Sequence, residues 1–416
     1  MLSILVVASM NVLAGPQQDS GFVAHEWGTF TSVQGSDAVQ LEWSPLVSSE
    51  LPKFVYNCNS AGKKPGRSFD VKSSFLTLQR METPVIYFYS DQARKVDVTV
   101  QFPQGTVTEW FPQVATLTKS KEDLQLEQQH GLRWSNVEIL GEKQGAQSMP
   151  VDKSGSHYFA ARNTDANLLK VINPGTGKEE YDKFLFYRGV GSFRAPLQAG
   201  LDTLENNVLL SNTGKEELRN FYVLRIEKGI GRFIYLDRLA PGASATVKLP
   251  QRDAFLRLSD LQDRICSEMA NSLTEQGLYP AEAKAMVATW RDSWFGEDGI
   301  RVLYTLPRVW ADRVLPLKVQ PPPAETVRVM VGRAEILQPS KEWQLLKQVV
   351  RYSESESGAR PQVVQTTREI GLGRFTEAAI RHVTSRLPNR EFGEFAWALL
   401  NATRPESAEG KPLASK

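Results

Sequence analysis

The sequence predicts a mainly β protein with a mixed α/β C-terminal part that ends in helices. From about residue 20 to 250 apolar residues alternate with a period of two, and turn residues separate these stretches. From about residue 255 the apolar spacing becomes helical. At 416 residues the chain is too long for one ordinary core. We therefore expect one or two β-sandwiches followed by a separate mixed region.

The N-terminal residues 1–14, MLSILVVASMNVLA, predict a secretory signal peptide. The apolar run is shorter than a membrane span of about 20 residues, and small residues precede the expected cleavage near Gly15. No Lys or Arg stands before the run, and a buried first strand or helix is the alternative. Export predicts a periplasmic or secreted mature protein, and no later segment has the length to cross a bilayer.

Residues 15–190 are predicted to form a β-rich domain. In KVDVTVQF, residues 95–102, the apolar side chains lie at alternate positions and share one face. With PVIYFYS before it and TVTEWF after it, this segment predicts a three-stranded meander.

Residues 191–252 are predicted to form an immunoglobulin-like sandwich segment. An Asn-Thr-Gly turn at 212–214 separates two alternating stretches, and a Pro-Gly turn precedes SATVKL. Such a fold would not by itself indicate a function.

Residues 253–404 are predicted to form the α/β region, followed by a loose tail at 405–416. Leu258, Leu261, Ile265, Met269 and Leu273 lie on one helical stripe, and Pro280 stands near the start of the next helix. Two strands follow, and further helices are predicted at about 341–354, 374–387 and 390–402.

Composition and motifs exclude several classes of function. The 49 basic residues are almost balanced by 47 acidic ones, and no basic run occurs, so no nucleic-acid partner is expected. The segment NPGTGKEE lacks the first glycine and the Ser or Thr of a phosphate-binding loop. No GxSxG motif occurs, and HEWGT carries Thr29 where the zinc motif HExxH requires its second histidine.

Polar residues within apolar strands predict a candidate site. His25, Glu82, His157 and Arg188 each stand in or beside an apolar or aromatic segment, so each needs a partner. We expect them to lie together near one opening of the β-rich region. There His25, His157 and Glu82 could hold a divalent metal ion, with Glu26 in reserve if Gly28 marks a bulge. Glu82 and Arg188 are then the candidate catalytic residues; structural ion pairing within the sheets is the alternative.

Two other residue types leave alternatives open. Cys58 and Cys266 could form one disulfide in an exported protein, or remain two thiols. Trp290, Trp294 and Trp310 could line a sugar-binding platform or belong to the core between helix and strand.

Several phrases resemble an uncharacterised family of exported bacterial proteins: HEWGTFTS, RMETPVIYFYS, FLFYRGVGSF, TWRDSWFGEDGIRVLYTLPR and VRVMVGR. The resemblance runs from His25 to about Gly332 and implies export, but no activity and no catalytic residues. Two functions remain open. The first is a non-catalytic binding or envelope protein that recognises a glycan or protein partner. The second is an extracellular hydrolase or metal-assisted enzyme that uses Glu and His of the β-rich region.

Overall fold

A computed structural model describes residues 21–44, 51–58, 76–119, 129–141, 149–153, 155–387 and 391–403. The predicted signal peptide at 1–14 and the predicted tail at 405–416 lie outside the described residues. Among the described residues, strands predominate in the first half of the chain, and helices predominate from residue 339 onward. The prediction of a mainly β protein with C-terminal helices is confirmed.

The strands of the described part carry the following labels and bounds: β1 Phe22–Gln34, β2 Gln40–Leu41, β3 Tyr56–Asn57, β4 Gln79–Ser90, β5 Arg94–Gln101, β6 Gly105–Phe111, β7 Thr116–Lys119, β8 Gln129–Ile139, β9 Leu169–Ile172, β10 Glu179–Asp182, β11 Leu185–Gly191, β12 Leu197–Leu201, β13 Asn207–Asn212, β14 Leu218–Glu227, β15 Ile230–Leu239, β16 Ser244–Lys248, β17 Leu256–Arg257, β18 Gly299–Leu306, β19 Leu317–Gln320 and β20 Glu325–Ile336. The α-helices are α1 Leu258–Glu275, α2 Pro280–Phe295, α3 Arg308–Val314, α4 Pro339–Glu354, α5 Arg360–Glu369, α6 Thr376–Ser385 and α7 Glu391–Thr403.

A large mixed sheet forms the centre of the protein. Its order is β17-β15-β14-β18-β20-β1-β4-β11-β6-β3, and β2 pairs with β1. The long strand β1 lies in the middle, parallel to β20 and antiparallel to β4. Its side chains are buried on both faces, as expected for a central strand covered on both sides.

One face of this sheet packs against two smaller sheets. The order β10-β9-β8-β5-β19, with β7 beside β8, forms one of them, and β12-β13-β16 forms the other. Alternate residues of β5, such as Val96 and Val98, join Phe22 and Ile86 of the large sheet in one apolar core. This layer of sheet on sheet accounts for the strong period-two pattern of the sequence.

The opposite face of the large sheet is covered by helices. Helices α1 and α2 pack over Trp27, Val85 and Val331 in a second core. Helices α4 to α7 pack over Val33 and Trp43 in a third. The helical stripe predicted in α1 is buried at Leu261, Ile265, Met269 and Leu273, and α2 begins at Pro280 as the sequence indicated.

Strand pairing differs from the sequence analysis in two places. The predicted meander is wrong, because β4 pairs with β1 and β11, β5 pairs with β8 and β19, and β6 pairs with β11 and β3. Residues 191–252 are not a self-contained sandwich, because β14 and β15 belong to the large sheet and β14 pairs with β18 beyond the predicted boundary at 252. Long-range pairing joins strands from both sides of the predicted boundaries at 190 and 252.

The two cysteines are not joined by a disulfide. Cys58 follows β3 at one edge of the large sheet, whereas Cys266 lies on α1, which packs beside β15 and β17 at the other edge. Eight strand spacings of about 4.8 Å separate β3 from β15, or roughly 38 Å in a flat sheet. A disulfide requires Cα atoms within about 7 Å, so the predicted Cys58–Cys266 pair is corrected.

Within the described residues, every helix is too short or too polar to span a lipid bilayer.

Candidate functional site

His25 is held at the start of α2. Its Nδ1 atom lies 2.7 Å from Oε2 of the Glu282 carboxylate, and that carboxylate also accepts a hydrogen bond from the backbone N–H of Tyr279 at 2.8 Å. The imidazole ring packs against Tyr89 and Tyr279, with ring centroids 5.4 and 4.5 Å away. Only 1% of His25 is exposed. This pair joins the central strand to the helix that covers it.

Glu26 points to the opposite face, as strand alternation predicts. Its carboxylate accepts hydrogen bonds from Arg328 at 2.6 Å and from the Tyr187 hydroxyl at 2.5 Å. The pairing of β1 with β4 is irregular at Gly28, but the extra residue lies on β4, opposite the segment between Trp27 and Thr29. Because β1 itself stays regular against β20, Glu26 does not turn toward His25.

His157 lies on a short 3-10 helix, His157–Arg162, rather than beside a strand, and its ring centroid is 5.0 Å from that of Trp290. His25 contacts α2 at Glu282, eight residues before Trp290, which corresponds to about 12 Å along the helix axis. Among the described residues no group of three His, Cys, Asp or Glu side chains is arranged to hold a metal ion. The predicted metal set of His25, His157 and Glu82 is therefore corrected: its members bind separate partners.

Glu82 and Arg188 do belong to one cluster, which we call the charged belt. It crosses one face of the large sheet between the core under α2 and the core under α4 to α7. Its members come from β4, β6, β11, β18, β20, the turn before β18 and the 3-10 helix after α5; they are Arg80, Glu82, Glu109, Arg188, Glu297, Arg301, Arg333, Glu335 and Arg374.

Glu82 contacts two arginines and one hydroxyl of the sheet and its covering helices. Its Oε1 atom lies 3.1 Å from Arg80 Nε and 3.3 Å from Arg374 Nη1, and Oε2 accepts a hydrogen bond from the Thr31 hydroxyl at 2.8 Å. Burial alone would raise the pKa of Glu82, but the guanidinium groups of Arg80 and Arg374 outweigh burial and lower it to about 2. Glu82 therefore stays ionised at neutral pH and cannot serve there as a proton donor.

The other members form ion pairs between neighbouring strands, within β20, and between β20 and the turn before β18. Arg188 donates two hydrogen bonds to Glu109, at 2.8 and 3.0 Å. Arg301 donates to Glu335 at 2.6 Å, and Arg333 donates to the same carboxylate and to Glu297. The two parallel bonds of Arg188 to Glu109 are the geometry in which arginine binds carboxylates most strongly.

The charged belt supports the structural alternative for Glu82 and Arg188. Their exposed fractions are 2% and 3%, and each is engaged by an oppositely charged side chain within the sheet. Neither has an open path to a substrate in this arrangement, so the predicted catalytic roles gain no support from the geometry.

A second feature, which the sequence analysis did not identify, is an open groove beside α4 and α6. Its volume is about 490 Å³. We call it the Trp343 groove; it is lined by Ser36, Asp37, Leu201, Thr203, Pro339, Glu342, Trp343, Leu346, Val383, Arg386 and Leu387. The Trp343 side chain is 60% exposed.

Polar contacts fix the wall of the Trp343 groove. Ser36 donates from its backbone N–H and its hydroxyl to Glu342, at 2.9 and 2.8 Å, and Arg386 donates to Asp37 at 2.7 Å. His382 packs against this turn so closely that a Cβ atom at Gly35 would lie 2.3 Å from the ring Nε2. The turn after β1 is therefore held rigidly against the two helices.

The three tryptophans considered for a sugar-binding platform are buried, whereas a different tryptophan, Trp343, is exposed. Trp290, Trp294 and Trp310 are at most 4% exposed and lie in the apolar cores, so the core alternative is confirmed for them. In α4 the buried stripe includes Leu345, Val349 and Tyr352, and Trp343 lies off that stripe. A helical wheel drawn over 339–354 could have revealed this exposed indole.

Comparison with known proteins finds neither a family model nor a curated protein that matches the chain. Among solved structures, the chain is similar to the Fcho1 Mu homology domain of Danio rerio with bound Eps15 peptide, at 8% identity and a TM-score of 0.27, over 77% of this chain and 99% of that chain. It is also similar to the yeast delta-COP-I mu-homology domain complexed with a Dsl1 WxWxV peptide, at 7% identity and a TM-score of 0.28, over 78% of this chain and 100% of that chain. TM-scores this low do not establish a shared fold or a shared function.

Proposed function

We propose that this chain is an exported, non-catalytic binding protein that recognises a glycan through the Trp343 groove. The observation that carries the proposal is the exposed Trp343 indole in a concave site, where an aromatic ring can pack against a bound ligand. The apolar run at 1–14 and the resemblance to exported bacterial proteins support the export part.

The size of the groove favours a small ligand or a single sugar unit over a protein surface. A volume of about 490 Å³ lies within the range typical of small-molecule pockets. Protein interfaces instead need roughly 800 Å² of buried surface from each partner.

The lining of the groove fits the chemistry of a sugar. The indole of Trp343 offers a flat apolar face for the C–H face of a pyranose ring. The hydroxyl of Thr203 and the Asp37–Arg386 pair offer hydrogen-bonding groups beside it. Because the Ser36–Glu342 contacts already fix the wall, little conformational entropy is lost on binding.

The absence of an accessible acid–base pair in the charged belt favours binding over hydrolysis. Glycoside hydrolysis requires two carboxyl groups that flank the substrate, one of which must be protonated. Glu82 is buried, and its pKa is lowered to about 2, so it does not meet that requirement.

A glycan array with the purified mature protein tests the proposal, followed by titration calorimetry with the best ligand. We expect binding that Trp343→Ala weakens at least tenfold and Trp343→Phe retains in part. The matched control is Trp397→Ala, which removes an indole that is 48% exposed on α7, outside the groove. A protein that binds no glycan, or that loses binding equally in both alanine variants, would contradict the proposal.

The export part has its own test. N-terminal sequencing of the protein from the periplasmic or extracellular fraction should find a chain that begins near Gly15. A full-length chain recovered from the cytosol would contradict export without affecting the groove.

A further inference from the structure

Strand β20 extends beyond its neighbour β18 at one end of the large sheet. The pairing of the two strands ends at Leu306 and Met330, and the chain then leaves the sheet at Pro307 to begin α3. On its other side β20 remains paired with β1 as far as Glu325. Within the described part of the chain, residues 325–329 therefore have a neighbouring strand on the β1 side but none on the β18 side.

The direction of the backbone groups along β20 follows from two hydrogen bonds to β1. Leu337, directly after β20, donates from its N–H to the Gln34 carbonyl at 2.8 Å, and the Ser32 hydroxyl donates to the Arg333 carbonyl at 3.3 Å. Successive residues of a strand direct their N–H and C=O groups to opposite neighbours. The odd-numbered residues of β20 therefore face β1, and the even-numbered residues face β18.

Thr326 and Arg328 are the even-numbered residues beyond the end of β18. In the register of β18 and β20 the residue opposite Arg328 would be Arg308, which already belongs to α3. Among the described residues, no backbone group bonds to the N–H and C=O groups of Thr326 and Arg328 on this edge. Both residues thus offer a donor and an acceptor to an added strand.

This free edge of β20 forms one side of an open slot of about 280 Å³, which we call the β20 slot. Its other walls are the start of β14, the end of β18 and the turn after α1. The slot lies in line with β18, which runs antiparallel to β20. A short extended segment placed there would continue the antiparallel pairing where β18 leaves the sheet.

The charge of the β20 slot favours a basic partner. The arginines that line it each have a carboxylate partner, at 2.6 to 3.5 Å. Glu325 is exposed, and none of the ion pairs of the described residues includes it. Burial and the carboxylates of Glu282 and Glu325 together raise the pKa of Tyr279, so Glu325 lies near a tyrosine that is 40% exposed. A carboxylate beside an exposed aromatic ring attracts a cationic side chain.

We propose that the β20 slot binds an extended, basic peptide segment of a partner protein by strand addition. Main-chain hydrogen bonds to Thr326 and Arg328 hold the segment, and its alternate side chains determine the specificity. The residue opposite Val327 lies beside Val327 and Gly277, which favours an apolar side chain. In an antiparallel segment the residue two positions later lies opposite Glu325, which favours Lys or Arg. The expected motif is apolar-x-basic.

Fluorescence anisotropy of the full chain with the labelled peptide STVTKTS tests the inference. We expect saturable binding, and about fivefold weaker binding of STVTETS, because an exposed ion pair contributes up to about 1 kcal/mol. N-methylation of the threonine between Val and Lys removes the N–H that faces Thr326 and should weaken binding at least tenfold. Since the β20 slot is separate from the Trp343 groove, Trp343→Ala should bind the peptide like the wild type.

Variants locate the binding. Thr326→Pro removes an N–H only from the free edge, so the pairing with β1 is kept and peptide affinity should fall at least tenfold. Glu325→Lys should prefer STVTETS over STVTKTS. The matched control is Glu356→Lys, because Glu356 is exposed between α4 and α5, outside the slot, and this variant should keep the wild-type preference.

Three results would overturn the inference: no saturable binding of STVTKTS by the wild type, equal binding of the N-methylated peptide, or unchanged affinity in Thr326→Pro. Sedimentation of the wild type covers the remaining occupant. Self-association that Thr326→Pro removes, without any peptide binding, would assign the β20 slot to a second copy of the chain and would also overturn the inference.

Discussion

Replacing Glu82 by Gln should destabilise the protein strongly while leaving the Trp343 groove intact. The substitution keeps the shape of the side chain but removes the negative charge that Arg80 and Arg374 share. A fall of the Glu82 pKa from 4.5 to about 2 corresponds to about 3 kcal/mol of stabilisation when the carboxylate is ionised. Breaking a buried ion pair by removing one partner also costs about 3–5 kcal/mol in other proteins.

The stabilisation by Glu82 should decrease as the pH is lowered. Because the folded pKa is lowered, the contribution of Glu82 is complete above the unfolded pKa of about 4.5 and is lost as pH falls toward 2. Urea unfolding of the wild type and Glu82→Gln should differ by about 3 kcal/mol at pH 6, and the difference should shrink by about 2 kcal/mol at pH 3. A difference below about 1 kcal/mol at pH 6, or one that does not change with pH, would refute the ion-pair argument.

Two further predictions follow from buried contacts, and a third follows from the order of the strands. His25→Ala leaves the Glu282 carboxylate without its buried partner, so urea unfolding should show a loss of about 3 kcal/mol; a loss under 1 kcal/mol would contradict a structural role. Trp294→Ala empties a fully buried position stacked on Trp290 and should cost about 3–5 kcal/mol without changing ligand affinity; weakened binding by a folded variant would place the binding site elsewhere. Non-reducing peptide mapping by mass spectrometry should find no Cys58–Cys266 linkage, and its detection would contradict the order of strands in the large sheet.

Local patterns predicted the elements well because each element follows from its own residues. The alternation of β1 placed His25 and Glu26 on opposite faces, and the structure shows them with different partners, Glu282 and Arg328. The apolar stripe of α1 and the proline at the start of α2 likewise depend only on neighbouring positions.

Strand pairing could not be predicted in the same way, because alternation does not reveal which strands are neighbours. The central pair β1 and β20 joins segments about 300 residues apart, while β4, β5 and β6, which are adjacent in the sequence, belong to different pairs. Hairpins between consecutive strands would form the predicted meander, but β4, β5 and β6 do not pair with one another.

The candidate site was predicted only in part, because its contacts also join residues that are far apart in the sequence. The need of Glu82 and Arg188 for charged partners was evident from their apolar surroundings. The identity of those partners was not, since Arg374 lies 292 positions from Glu82. The apolar neighbours of His157 indicate a strand beside it, but His157 begins a 3-10 helix that packs against α2.

The most direct test of the proposed function compares Trp343→Ala with Trp397→Ala in calorimetric titrations with the best glycan from the array. Both variants remove an exposed indole from the same helical layer, and both should unfold at about the wild-type temperature. We expect the groove variant to lose at least tenfold in affinity, or about 1.4 kcal/mol, and the α7 variant to bind like the wild type. Equal affinities for all three proteins would contradict recognition through the Trp343 groove.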